Sequence, residues 1–401
     1  MPKPTPLAVI EVGTTQAVCL IGLPQPDGRV EILGAGVNGL VGLRKGQIQN
    51  MPDAVTGVRT AISKAEKAAG MTIPEAWLVV SGGNVQADIL SGTVYNEAPT
   101  VSAEDLASAV EIASATSRKS LPERAILHLV PQSYVVDDRH SVASPAGLPG
   151  RKVDARVLTI HADASVVSAA QRLLQEAHLP VKGRLFAAVC DAATLSEDER
   201  RNGTLVVNFG GGTTAFAVYA EGVVTAAGSI PVGGDHVTND LAHAFRVSFK
   251  TAEELKVSVA SAVVSADMLD KRVRVPDASR MADERSVNLH DLCTVVNARV
   301  EELLGVVAVS VGDAFYSGVV LFGGGALLRG VETVAQRVFN CPCRPGSLPD
   351  GVSLPGLAAP VAATAYGAFR VAARELAEEE ANNAPQGLWS RLFGKPKGEI
   401  R

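Results

Sequence analysis

The feature that most restricts how this chain can fold is the stretch Thr204–Thr214, which reads T-L-V-V-N-F-G-G-G-T-T. Leu205, Val206 and Val207 favour a strand. Asn208 brings a short polar side chain, three glycines and two threonines follow, and apolar alternation returns at Ala215, Ala217 and Val218. The pattern predicts a β-hairpin with a glycine-rich tip. Glycines reach backbone angles closed to other residues, so N–H groups can turn inward on an anion and a phosphate can approach closely. Two readings therefore stand: a phosphate cradle, or an ordinary glycine hairpin.

A second tip resembles the first. Leu7–Ile10 read as a strand, Glu11-Val-Gly-Thr-Thr15 as a turn and Ala17–Ile21 as the returning strand. Val-Ile-Glu-Val-Gly-Thr-Thr lies about two hundred residues before Val-Val-Asn-Phe-Gly-Gly-Gly-Thr-Thr, a spacing that suggests an internal duplication with one phosphate loop in each half. The length, 401 residues, allows this, since single cores stop growing at about 250–300 residues. With aromatics at only 4%, the cores must be built from Val, Ala and Leu.

Charge and cysteine content narrow the function classes. A net charge of −5 gives no general affinity for nucleic acid, so no nucleic-acid partner is expected. The five cysteines are too scattered for a disulfide framework, and Cys341-Pro-Cys343 has no second ligand pair at metal-site spacing. No apolar signal segment precedes the first strand and no window approaches 18 uninterrupted apolar residues; a cytoplasmic chain is expected.

Gly34-Ala-Gly-Val-Asn-Gly39 matches the dinucleotide fingerprint G-x-G-x-x-G after a strand at Val30–Leu33, and Asp53 stands near the ribose-acid distance. No helix opens after Gly39, however, and a Rossmann site is not expected. The periodicity predicts helices over Asp53–Ala69, from the Ser102–Asp105 capping box to Arg118, and over Val166–Ala177, Thr238–Phe245, Thr251–Ala260, Leu292–Val311 and Ala359–Leu376. Strands are expected at Leu78–Val80, Ala125–Pro131, Ser133–Val136, Arg156–His161 and Val223–Ile230, and a strand or a strand–helix junction at Leu185–Cys190. Ser196–Arg200 reads as a solvated charged loop, and residues 266–291 as a polar stretch without a clear period. Gly318–Ala326 reads as a strand that delivers Gly323, Gly324 and Gly325 to a helix opening at Leu327, where the positive helix end would favour an anion. Glu253 and Lys256, three apart, share a helix face and make either a surface ion pair or a ligand contact.

Beyond Glu375 the composition changes to the acidic stretch Glu378–Pro385 and then to G-L-W-S-R-L-F-G-K-P-K-G-E-I-R. Wound as a helix, Leu388, Trp389, Leu392 and Phe393 share one face, with Ser390 and Arg391 opposite and Lys395 following. Apolar residues beside cations suit an anionic lipid surface; docking onto a protein groove or onto the chain's own body is the other reading. One short copy would bind weakly and many copies on a polymer well.

Taken together, these motifs resemble the actin/Hsp70/sugar-kinase ATPase superfamily, and within it the FtsA family, whose actin-like members link the tubulin-like FtsZ to the membrane at the division site. The resemblance rests on I-E-V-G-T-T at 10–15, I-L-G-A-G-V-N-G-L-V-G-L-R-K-G-Q-I-Q-N at 32–50, L-H-L-V-P-Q-S-Y at 127–134, L-S-E-D-E-R at 195–200, V-V-L-F-G-G-G-A at 319–326 and the basic, apolar tail. The tail and the inserted domain argue against the PilM branch and against Hsp70. The fold class implied is α/β: actin-like, duplicated ribonuclease-H-like domains with an inserted small α+β domain of the FtsA 1C type. The implied subdomains are 1A at 1–77 and 160–190, 1C at 78–159, 2A at 191–228 and 300–376, and 2B at 229–299, with linker and tail at 377–401.

The resemblance also implies ATP or ADP with Mg as cofactors. Gly13, Thr14 and Thr15 would hold the terminal phosphates from one side and Gly210, Gly211, Gly212 and Thr213 from the other. Glu253 and Lys256 would contact ribose and adenine, and Gly323–Gly325 would flank the base. Glu11 and Asn208 would hold Mg through water and support catalysis. Relatives carry Asp where Asn208 stands; a neutral amide holds metal and attacking water less firmly, and no Glu or Gln near Ala187 offers to orient the water. Slow or absent hydrolysis is expected, and Asn208→Asp should raise it if the amide is the cause. Partners implied are the C-terminal peptide of FtsZ at 229–299, further copies in a filament through the inserted domain, an anionic membrane and later division proteins, at the cytoplasmic face of the inner membrane at the septum. The alternative is a small-molecule phosphotransferase of the same fold, which would need an Asp placed to accept a hydroxyl proton.

Overall fold

The computed structural model describes residues 5–25, 29–82, 84–139, 141–277 and 280–383. The chain opens with an antiparallel meander, β1 (Leu7–Val12), β2 (Gln16–Pro24) and β3 (Val30–Gly39). A short hairpin, β4 (Leu43–Arg44) and β5 (Gln47–Ile48), leads to α1 (Met51–Ala69), and β6 (Ala76–Val80) returns parallel to β1. Asn50 caps α1, and Gly70 closes it at φ 67°, a left-handed angle that suits glycine. The dinucleotide-like glycines lie inside β3, not at a strand–helix turn. A Cβ on Gly36 would stand 2.0 Å from the Ala61 carbonyl, and one on Gly34 2.3 Å from that of Ala65. These glycines let α1 lie directly on the strand.

The insertion follows: β7 (Gln86–Tyr95), α2 (Ala103–Ser120), β8 (Arg124–Val136), β9 (Ser141–Val142) and β10 (Lys152–Asp163), in sheet order β7-β10-β8-β9. The Ser102–Asp105 capping box starts α2, which covers one face of this sheet over Leu106, Ala109, Tyr134, Val153 and Val157. The two strands expected at 125–136 are one strand with a bulge. Ser133 faces Arg156 and Pro131 faces Val157, so Gln132 has no ladder partner. Its amide instead donates to the Val224 carbonyl of the second half at 2.8 Å. Four residues earlier in β8, His128 Nε2 accepts the Phe186 N–H at 2.9 Å, and burial pushes this imidazole down to about 4, so it stays neutral.

After α3 (Ala164–Glu176) come β11 (Val181–Phe186), parallel to β6, then α4 (Ala187–Ala192) and α5 (Glu197–Asn202). α5 corrects the loop expected at Ser196–Arg200. Ser196 and Glu199 form a capping box there, and Glu199 is paired with Arg344 at 2.6 Å.

The second half repeats the first. β12 (Thr204–Phe209), β13 (Thr214–Ala220) and β14 (Val223–Ile230) form the meander. α6 (Gly234–Phe245), α7 (Phe249–Ser258), the hairpin β15 (Arg272–Asp277) and β16 (Arg280–Asn288), and α8 (Leu289–Val311) follow. That hairpin corrects the reading of 266–291 as without a clear period: Arg-Val-Arg-Val is a period of two, with Val275 and Val287 buried under α8. β17 (Gly318–Phe322) runs parallel to β12, and α9 (Val331–Phe339), β18 (Cys343–Pro345) and α10 (Ala359–Asn383) complete the chain. The sheet order β11-β6-β1-β2-β3 is matched element for element by β18-β17-β12-β13-β14. α10 lies on the first sheet, packing Tyr366 and Phe369 against Val9, Leu20, Val79 and Leu185. It continues past Leu376, so the acidic stretch begins within a helix. Among the described residues no helix is long and apolar enough to cross a membrane.

Candidate functional site

The two meanders turn in the same way. Gly13 N–H donates to the Gln16 carbonyl at 2.9 Å, and Gly210 N–H to the Thr213 carbonyl at 3.0 Å. Glu11 and Asn208 thus occupy equivalent positions, each two residues before its turn. None of Gly13, Gly210, Gly211 or Gly212 has a left-handed φ. The expectation that they supply unusual backbone angles is corrected: they supply space. A Cβ on Gly211 would stand 2.7 Å from Thr15 Cγ2, and one on Gly212 2.5 Å from Thr14 Oγ1. The tips meet head to head, and a side chain on either glycine would force the halves apart.

The expected phosphate residues separate into two groups. Thr15 is exposed, and Gly13, Thr14, Gly210 and Gly211 are part-exposed on the rim where the tips meet. Gly212 and Thr213 are buried. Thr213 Oγ1 donates to the Ser81 carbonyl at 3.2 Å, and a Cβ on Gly212 would reach Lys45 N at 2.9 Å. These two are packed where the halves join, and the rim itself is formed by the other five.

The start of α6 is stitched to the second tip. Gly234 N–H donates to the Gly210 carbonyl at 2.9 Å and Asp235 N–H to that of Gly211 at 2.8 Å. Asp235, which the sequence did not single out, stands beside Gly211; burial raises its carboxyl above the usual range against the pull of Lys256. Lys256 Nζ donates to the Gly234 carbonyl at 3.2 Å, to Thr238 Oγ1 at 2.9 Å and to Glu253 Oε2 at 2.7 Å. All three ammonium donors are in use. Glu253 and Lys256 are therefore neither a free surface pair nor an open ligand pair in this conformation: they brace α7 against the first turn of α6.

Behind the tips lies a cluster of acids. Asp191 on α4 is completely buried; its Oδ2 accepts Asn208 Nδ2 at 2.7 Å and its Oδ1 accepts Thr364 Oγ1 at 2.6 Å. Asn208 Nδ2 also donates to Thr364 Oγ1 at 3.1 Å. Burial pushes the Asp191 carboxyl up to about 7. Glu11 is pushed up to about 8 by burial and then by the charge of Asp191, and its Oε2 is sealed from solvent without a partner. Asp191 escaped the sequence reading, although it is the sole charged residue in the apolar run from Leu185 to Leu195.

This chemistry does not suit the Mg role expected of Glu11 and Asn208. The Asn208 amide hydrogens are committed to Asp191 and Thr364, its Oδ1 lies 2.7 Å from where a Gly323 Cβ would be, and Glu11 holds a proton at neutral pH. Neither offers a carboxylate to a hydrated cation. Gly323 adopts φ 79°, and a Cβ on Gly325 would stand 2.2 Å from the Phe209 ring; both pack on β12, while Gly324 alone faces open space. A single 3-10 turn, Gly324–Leu327, follows, and the next helix in the chain begins only at Val331, so the helix expected to open at Leu327 does not form. The tail residues Leu388, Trp389, Arg391, Leu392, Phe393 and Lys395, expected at a membrane, lie outside the described residues.

Twin five-stranded sheets whose hairpins meet tip to tip define an actin-like fold. Solved structures agree: the PilM–PilN type IV pilus biogenesis complex matches at TM-score 0.64 and 14% identity over 91% of this chain and 98% of that chain. MreB 5 of Spiroplasma citri bound to AMPPNP matches at TM-score 0.56 and 14% identity over 96% of this chain and 100% of that chain. Residues 205–367 match the family model for cell division protein FtsA, and residues 82–161 match the SHS2 domain inserted in FtsA. The chain is 33% identical to the cell division protein FtsA of Escherichia coli (strain K12) over 84% of this chain and 83% of that protein. It is 31% identical to that of Rhizobium meliloti (strain 1021) over 98% of this chain and 92% of that protein. The chain belongs to the FtsA family of cell division proteins.

Proposed function

We propose that this chain binds ATP or ADP on the rim between its two hairpins, polymerises, and tethers FtsZ filaments to the cytoplasmic membrane at the septum. The observation that carries the nucleotide reading is the tip-to-tip meeting of the equivalent turns at Gly13–Gln16 and Gly210–Thr213. Thr14 and Thr15 of the first half stand there against the glycines of the second, beside the N-terminus of a 12-residue helix. The nucleotide-bound state of MreB 5 and membership of a cell division family support it further. Thr14, Thr15, Gly210 and Gly211 would face the phosphates and Gly324 the base. Magnesium would arrive with the phosphates, since Glu11 and Asn208 do not fit it.

Hydrolysis is slow or absent on this reading, because the acids behind the tips are buried, hydrogen-bonded or protonated at neutral pH. Nucleotide then acts as a conformational ligand. The insertion and the region 229–299 would carry the contacts between subunits and to the C-terminal peptide of FtsZ, and later division proteins would join the assembly. The segment after Ala384 would hold the polymer on anionic lipid. Co-sedimentation with vesicles containing anionic phospholipid tests the tether: the full chain should pellet and a chain ending at Ala384 should stay in solution. Equal pelleting of both would overturn the membrane assignment.

A further inference from the structure

We infer that Lys45, on the short β4–β5 hairpin, contacts the terminal phosphate of the nucleotide and makes the site distinguish a triphosphate from a diphosphate. The inference rests on the nucleotide reading above and adds a residue to it from outside both glycine hairpins. The β4–β5 hairpin turns on Lys45 and Gly46, whose φ angles are 50° and 71°. Both are left-handed, the geometry of a two-residue turn that favours Asn or Gly at each position. Lysine at the first position is strained. The sequence thus places a cation where an asparagine would turn the chain more easily.

The hairpin is fastened over the meeting point of the tips. Gly46 N–H donates to Thr14 Oγ1 of the first tip at 3.1 Å, and the backbone of Lys45 lies where a Gly212 side chain of the second tip would be. Gly46 also packs on Thr213 Cγ2 and on Gly82. The Lys45–Gly46 turn therefore belongs to the first half yet touches both tips.

Its side chain is exposed, and no carboxylate among the described residues pairs with its ammonium. Its charge reaches across the tips, where, after burial, it helps hold His236 in the first turn of α6 below the usual imidazole range. The other cation at the second tip, Lys256, has all its donors engaged. Lys45 is the lysine with donors to spare at the place where negative charge would project from the rim. A triphosphate carries more negative charge than the diphosphate left after loss of its terminal phosphate, and carries it further out, so a cation at this edge discriminates between the two.

The test is titration of the full chain with fluorescent N-methylanthraniloyl ATP and ADP in the presence of magnesium. Lys45→Asn keeps a residue tolerant of the left-handed turn and removes the charge; Lys45→Arg keeps the charge. Lys45→Asn should weaken ATP binding by about tenfold or more and ADP binding by less than about threefold, and Lys45→Arg should stay within about threefold of the unaltered chain for both. A uniform loss for ATP and ADP, or no change in either, overturns the role of Lys45 while leaving the nucleotide reading intact. Failure of the unaltered chain to bind either nucleotide overturns both. Thermal unfolding midpoints separate a loss of fold from a loss of contact.

Discussion

Replacing Asn208 by Asp tests the acid cluster most directly, and the structure reverses what the sequence led us to expect. From sequence, an acid at 208 restores a missing metal partner and should raise turnover. In the fold, Asn208 Nδ2 lies 2.7 Å from Asp191 Oδ2, so Asn208→Asp sets a carboxylate against a buried carboxyl whose own pKa is already about 7. Two carboxylates in contact cannot both ionise, so the pair must keep at least one proton. Holding a carboxyl of ordinary value 3.8 protonated at pH 7 costs up to about 4 kcal/mol. The cost shrinks by about 1.4 kcal/mol for each unit of acidification, to about 1.5 kcal/mol at pH 5.

Urea unfolding at the two pH values measures this loss. Adding Asp191→Asn transfers the acid to position 208 and returns one amide and one carboxyl to the cluster, so the double variant should recover most of the stability; additivity would mean the two groups do not interact. If an acid at 208 promotes hydrolysis, phosphate release should rise in the double variant and not in Asn208→Asp alone. A single variant as stable as the parent at pH 7, or a loss equally large at pH 5, would refute the reasoning.

Glu11→Gln should change the pH dependence of stability. Glu11 titrates at about 8 in the fold against an ordinary 4.5, so the folded state holds a proton that the unfolded chain releases, and stability falls as pH rises through that window by up to about 1.4 kcal/mol per unit. The glutamine variant should gain on the parent from pH 5 to 8 and hold a constant advantage above; unfolding curves that stay parallel would exclude it. Gly36→Ala places a Cβ 2.0 Å from the Ala61 carbonyl and should cost about 2–3 kcal/mol in thermal unfolding. Gly70→Ala, with open space around it but φ 67°, should cost about 1–2 kcal/mol, and the reverse order would contradict the packing argument.

Much of the fold was legible because its signals are local. Period-two apolar runs broken by glycine gave both hairpins, and the equivalence of Glu11 and Asn208 carries the duplication. The Ser102 capping box gave α2, yet the same signal at Ser196–Glu199 went unread, because five consecutive charged residues look like solvent-facing chain. Arg272–Val275 alternated in plain view and was hidden by the polar residues around it. The site was harder. Asp191 and Thr364 lie 173 positions apart and meet only because α10 crosses α4. What the tip glycines are for could not be read either: backbone freedom and close approach leave the same letter in the sequence, and only the facing Thr14 and Thr15 decide between them.

The crossing of α10 over α4 has a mechanical consequence. A Cβ on Gly367 would stand 1.9 Å from the Cys190 carbonyl, Thr364 is bonded into the acid cluster, and Gly323 N–H donates to Pro360, so the start of this helix is clamped to both halves. From Thr364 to Asn383 the helix extends about 28 Å at 1.5 Å per residue. A lobe rotation of about 10° would then swing the far end by about 5 Å. A small change of angle at the clamp would thus become a displacement of several ångströms at the far end of the helix.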